Sequence, residues 1–177
     1  MLLSLSVSAM ALTIDVYPLH VQNSAGDNVS VVVRVTENST PLSNVAVNFI
    51  TNLGALNSVS TLTNASGYGQ VFLRSIDSGI STLNASVGSI SKIANITFSP
   101  TSPESIIISE SKNLVTAGNI TTVRIGMLDH FGNVNDTAKI TLNIRIEDVY
   151  GNVNETQIVR TPDTLAHIKA NNLTDTG

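Results

Sequence analysis

The stretch Asn28 to Glu37, NVSVVVRVTE, constrains this chain more than any other. Val29, Val31, Val33 and Val35 recur at every second position, opposite Asn28, Ser30, Arg34 and Thr36, with only Val32 breaking the polar row. A strand turns successive side chains to opposite faces, so this period of two gives one apolar face and one solvated face. Runs of the same kind follow: VAVNF (Val45 to Phe49), QVFLRS (Gln70 to Ser75), STLNASV (Ser81 to Val87), IANITFS (Ile93 to Ser99), TTVRIGML and KITLNIRIE. In the last, Ile140, Leu142, Ile144 and Ile146 alternate with Thr141, Asn143, Arg145 and Glu147. Gly, Asn, Ser and Pro punctuate the runs, and no segment holds a helical period. The pattern predicts an all-β chain of half-buried antiparallel strands packed as sandwiches.

SPTSPES (Ser99 to Ser105) reads as a stiff polar connector. It divides the chain into a first domain at residues 12–99, a linker at 100–103 and a second domain at 104–177, the first near the size of one immunoglobulin-like sandwich. NVSVVVRVTENSTPLSNVAVNFIT overlays on ITTVRIGMLDHFGNVNDTAKITLNIR, and LTNASG on LTDTG. The first copy continues through three more strands and the second does not. The expectation is a second domain truncated at its C-terminal end, less ordered than the first or borrowing a strand from a neighbour. Residues 1–11, ending in Ala9-Met10-Ala11, read as a signal-peptide remnant without its basic end, with an apolar first strand as the alternative. The segment is too short to span a membrane.

Charged residues are 12% of the chain, about half the usual share. Ser, Thr and Asn replace them, which suits a surface that faces outward from a cell. The net charge of −4 and the absence of any Lys/Arg cluster give no attraction for nucleic acid or anionic lipid. There is no cysteine, which rules out disulfides and thiolate metal sites and leans toward a prokaryotic surface protein.

LDHFGNVNDT (Leu128 to Thr137) and EDVYGNVNET (Glu147 to Thr156) repeat at a spacing of 19 residues. Calcium takes oxygen ligands, and Asp129, Asn133, Asn135 and Asp136 offer them, as do Asp148, Asn152, Asn154 and Glu155. The order is not that of an EF-hand, and no bidentate Glu follows. On the scaffold reading Asp caps the turn, Phe131 or Tyr150 packs on the sandwich, and Gly-Asn supplies left-handed backbone. No cofactor is expected.

Nothing points to catalysis. His20, His130 and His167 are dispersed, and there is neither a nucleophile elbow nor a phosphate loop. Aromatic residues are 4%, without Trp, a poor supply for stacking on sugars or bases. Asn-x-Ser/Thr occurs nine times, at Asn28, Asn38, Asn64, Asn84, Asn95, Asn119, Asn135, Asn154 and Asn172. Chance in this composition gives about four, so N-glycosylation is a candidate modification.

PLSNVAVNFITNLGALNSVSTLTNASGYGQVFLRSIDSGISTLNASVG resembles a group 1 bacterial immunoglobulin-like domain, the repeat of invasin- and intimin-like adhesins and of archaeal surface proteins. The matching positions are Pro41 with Val45, Val47 and Phe49; Thr63, Asn64, Gly67, Val71 and Leu73; and Gly79 with Leu83 and Ala85. Gly69 stands where the family usually has Ala, and Asn64 where Asp is common. DHFGN is similar to the family's D-x-x-G-N turn. The resemblance implies a non-catalytic module of an extracellular stalk, partnered by neighbouring repeats and by a polysaccharide or protein receptor. Two alternatives stand beside it: a ligand-binding module in its own right, with or without calcium, and an accessory domain of a carbohydrate-active enzyme.

Overall fold

The computed structural model describes residues 11–110, 120–138, 141–147, 153–160 and 165–169. All the regular structure there is β, in two compact units, Met1–Ser99 and Pro100–Gly177. Each unit has immunoglobulin-like sheet topology, so the chain is a tandem of such β units.

Unit 1 holds ten strands: β1 (Leu12–Tyr17), β2 (His20–Ser24), β3 (Asn28–Glu37), β4 (Thr40–Pro41), β5 (Ala46–Thr51), β6 (Ala55–Leu56), β7 (Ser60–Leu62), β8 (Tyr68–Arg74), β9 (Gly79–Val87) and β10 (Ile90–Ser99). One sheet runs β1-β3-β8-β6, with β4 also on β3, and the other runs β2-β10-β9-β5-β7. All pairs are antiparallel except β2 with β10. The bounds of β3 coincide with the alternating run, and its four valines are buried. They meet Val71 and Leu73 of the same sheet and Val47, Phe49, Leu83, Ile96 and Phe98 of the other in one core. A slip of one residue would turn all four valines into water at about 2 kcal/mol each. That is on the order of a whole domain's stability, so the register is fixed by burial.

Strands β1 and β2 did not stand out as alternating runs. Strand β2 buries none of its five residues, as an edge strand can, and Val21 is its one apolar side chain on the core, too little to mark a period in sequence. Tyr17–Pro18 between them is a cis peptide.

Unit 2 contains β11 (Pro103–Glu110), β12 (Ile120–Asp129), β13 (Thr141–Glu147), β14 (Val153–Arg160) and β15 (Leu165–Lys169). β12 lies between β11 and β15, and β13 pairs with β14, all antiparallel. Ile125 and Met127 of β12 are buried. The signal-remnant expectation falls almost wholly on residues 1–10, outside the described residues, and the expectation for the C-terminal end falls on 170–177, also outside them.

Candidate functional site

The D-x-x-G turn after β12 is held by the side chain that opens it. Asp129 N–H donates to Asn133 O (2.9 Å) and Gly132 N–H to Asp129 O (3.0 Å), with Gly132 at φ +85°. A bridge between Leu128 and Val134 closes the loop, and Asn135 N–H donates to Met127 O. Asp129 Oδ1 accepts the N–H of Phe131 (2.9 Å) and of Asn133 (2.8 Å), and Oδ2 accepts that of Thr101 (2.9 Å). Asn133 Nδ2 adds bonds to both oxygens. Asn135 Nδ2 donates to Thr101 O (2.8 Å), while its Oδ1 accepts from Thr137 and Ala138. Thr101 is thus gripped at both its N–H and its carbonyl.

Asp129 is only 3% exposed. Burial alone would push its carboxyl up. The donors outweigh it, Asn133's side chain first and then the N–H groups of Thr101, Asn133 and Phe131, and hold the carboxyl at about 2 against an ordinary 3.8. This is a carboxylate already solvated by the protein. A calcium ion at the same oxygens would have to displace those donors. Of the other calcium candidates, Asn135 is buried with its amide in use, and Asp136 is exposed. Among the described residues no group of three or more His, Cys, Asp and Glu could hold a metal.

Asp148, Tyr150, Gly151 and Asn152 of the second copy lie outside the described residues, as do the side chains of Asn154 and Glu155. The strands on either side pair Glu147 with Val153, the positions 19 residues after Leu128 and Val134. The repeat in sequence is a repeat in backbone pairing.

The same hydrogen-bond pattern stands in unit 1. Asn64 N–H donates to Tyr68 O (2.8 Å), Gly67 N–H to Asn64 O (2.9 Å), and Asn64 Oδ1 accepts from Ser66 and Tyr68, with Gly67 at φ +77°. Before it, buried Thr63 clips the 42–45 segment: its hydroxyl donates to Leu42 O and accepts from Val45 N–H. Gly69, where the family usually has Ala, has a reason here. A Cβ there would lie 2.6 Å from Thr61 Cγ2.

The sequons differ in environment. Asn28, Asn38 and Asn64 are exposed, Asn84 and Asn95 are half-buried, and Asn135 is buried. Asn119 and Asn172, and the side chain of Asn154, lie outside the described residues. His130 Nδ1 pairs with Glu104 Oε2 at 2.8 Å, both exposed, and its ring meets Phe131 edge-on; such a surface pair contributes little. His20 is exposed on β2, and the side chain of His167 lies outside the described residues. No helix of the described residues is long and apolar enough to cross a membrane.

No protein-family model matches the chain, and a search of curated proteins finds no match. Solved structures do match. Invasin, a bacterial integrin-binding protein, superposes with a TM-score of 0.55 at 14% identity over 90% of this chain and 40% of its own. The Yersinia pseudotuberculosis adhesin InvE matches with a TM-score of 0.48 at 16% identity over 92% of this chain and 50% of its own. The D00-D0 domain of intimin matches with a TM-score of 0.40 at 21% identity over 48% of this chain and 43% of its own. The chain spans half or less of each of these proteins. What the superposition on invasin shows is a shared fold, that of an immunoglobulin-like β-domain.

Proposed function

We propose that this chain is a non-catalytic structural and adhesive module of a prokaryotic cell-surface or secreted protein, a length of stalk that carries binding surfaces away from the envelope. The observation that carries the reading is the occupation of the one described D-x-x-G turn. Asp129, Asn133 and Asn135, which in sequence looked like metal ligands, spend their polar atoms on backbone and on one another. A turn built this way positions strands and leaves no vacant oxygen cage. Invasin's integrin binding supports an adhesive role for a chain of like fold, and the scarce charge, with Ser, Thr and Asn in its place, supports an extracellular location. Neighbouring repeats of the same kind are the natural partners along the stalk.

N-glycans belong to this proposal at Asn28, Asn38 and Asn64, which are exposed, and not at Asn135, whose Nδ2 is committed to Thr101. The deciding experiment is thermal melting of the whole chain in EDTA and in millimolar calcium. The two curves are expected to coincide. A rise of several degrees with calcium would replace the scaffold reading with a calcium-dependent module. Peptide mapping of native protein checks the glycans, and a modified Asn135 would contradict their assignment.

A further inference from the structure

Sequence alone supplies few aromatic residues, yet the fold gathers three of the seven on one surface. Tyr17, Tyr68 and Phe72 stand 52%, 40% and 42% exposed on the outer face of the β1-β3-β8-β6 sheet. Cross-strand register fixes their neighbours. Arg34 lies between Asp15 and Tyr68, Val32 between Tyr17 and Gln70, Phe72 opposite Ser30, and Arg74 opposite Asn28.

Charge gathers there too. Arg34 and Arg74 are the only arginines among residues 1–99, and both share this face with the exposed rings. The Arg34 guanidinium lies 5.5 Å from the centre of the Tyr68 ring, and Arg74 follows Phe72 by two positions on β8. Asp15 is the one acid in these rows, so the patch is net positive on a chain of net charge −4. Arg34 Nε is buried without a hydrogen-bond partner among the described residues, whereas Arg74 Nε donates to Gly26 O.

The geometry selects the kind of partner. β3 lies between β1 and β8, and β8 between β3 and β6, so an added peptide strand, which docks at sheet edges, would extend the sheet sideways and leave this outer face uncovered. What this face exposes is two aromatic side chains four residues apart on one strand, about 13 Å, with an arginine near each. Rings pack against the C–H face of a pyranose, and a guanidinium fork matches a carboxylate.

We propose that this face binds a polyuronate, with sugar rings on Tyr68 and Phe72 and ring carboxylates on Arg34 and Arg74. The inference stands apart from the stalk role, because a stalk that binds no sugar remains a stalk.

The test is titration calorimetry of the full chain with polygalacturonate, neutral dextran and polyglutamate. Polygalacturonate is expected to bind, more weakly as salt rises, with dextran and polyglutamate far weaker. Tyr68→Thr, Phe72→Thr and Arg34→Gln should each weaken binding about tenfold, while Ile93→Thr, on the outer face of the other sheet, should leave it unchanged. Hydrogen exchange of the unaltered chain gives a reading that needs no variant: polygalacturonate should slow exchange in 28–37 and 68–74 and spare 79–99. Absence of polygalacturonate binding, dextran binding as well, tighter binding of polyglutamate, or undiminished binding by folded Tyr68→Thr and Phe72→Thr would each overturn the proposal.

Discussion

The turns at Asn64 and Asp129 use one backbone design with two different side chains. In both, the first residue's N–H reaches the fifth residue's carbonyl, a glycine at the fourth position takes positive φ, and a side-chain oxygen caps the N–H groups two and four residues on. They differ in what arrives from outside. Asn64 is exposed and its amide oxygen serves only the turn. Asp129 is buried and receives, in addition, Thr101 N–H from 28 residues away and the Asn133 amide. One acceptor oxygen suffices for the turn alone. A second becomes useful when another segment must be tied down, and only a carboxylate has two. The motif's D-or-N choice then reports whether the turn also serves as a clamp.

The glycines of the two turns should show the largest contrast. Both have positive φ, but a Cβ on Gly67 would lie 2.6 Å from Val35 O, whereas one on Gly132 meets nothing within 4 Å. Gly67→Ala is expected to cost about 3 kcal/mol or more, from left-handed strain plus a backbone clash. Gly132→Ala should cost about 1 kcal/mol, from strain alone. Denaturation of the full chain, with hydrogen exchange to assign the loss to a unit, measures both. Equal costs would mean that surroundings do not distinguish the turns.

Removing the capping side chain comes next. Asp129→Ala strands several buried donors and is expected to destabilise unit 2 by about 2–3 kcal/mol. Asn64→Ala loses an exposed cap worth about 1 kcal/mol. Exchange at Thr101 N–H should quicken in Asp129→Ala and stay unchanged in Asn64→Ala.

Acid titrates the same difference. The Asp129 carboxyl is lowered to about 2 in the fold from an ordinary 3.8, so the unfolded chain takes up its proton first. Its contribution is fully present above pH 3.8 and drains away as the pH falls toward 2. Unit 2 should lose stability across that window, and Asp129→Asn should remove this part of the dependence. An unaltered slope in the variant would show that the clamp's charge does not matter.

How far the sequence discloses all this depends on the range of each interaction. The buried face of β3 is legible because four valines state it locally, and the turn at 129–133 is legible because Asp and Gly sit within one loop. Thr101 is another matter. It lies in a stretch that reads as a polar connector, and nothing in its neighbours announces the Asp129 and Asn135 atoms that grip it. Oxygen-rich side chains there favour a scaffold turn in sequence, with calcium the weaker reading, and neither reading names Thr101. The aromatic face was hidden for the same reason: Tyr17 and Tyr68 share it only through the register of β1 on β3 and β3 on β8.

The smallest effect is the sharpest test of the comparison. Exchanging the two caps alters one atom in each turn. At Asn64 the oxygen that matters is retained by Asp, and the two residues cap about equally well, so Asn64→Asp should change stability by no more than about 0.5 kcal/mol at neutral pH. At Asp129 the exchange to Asn keeps Oδ1 for the turn but replaces Oδ2 with an NH2 facing Thr101 N–H, donor against donor. That should cost about 1–2 kcal/mol, the penalty for a buried N–H left without an acceptor. If both exchanges proved neutral, Thr101 would not need the second oxygen, and the clamp would reduce to an ordinary turn. If both proved costly, the exposed turn of unit 1 would be doing more than capping itself, and the distinction between them would have to be sought in the surrounding loops.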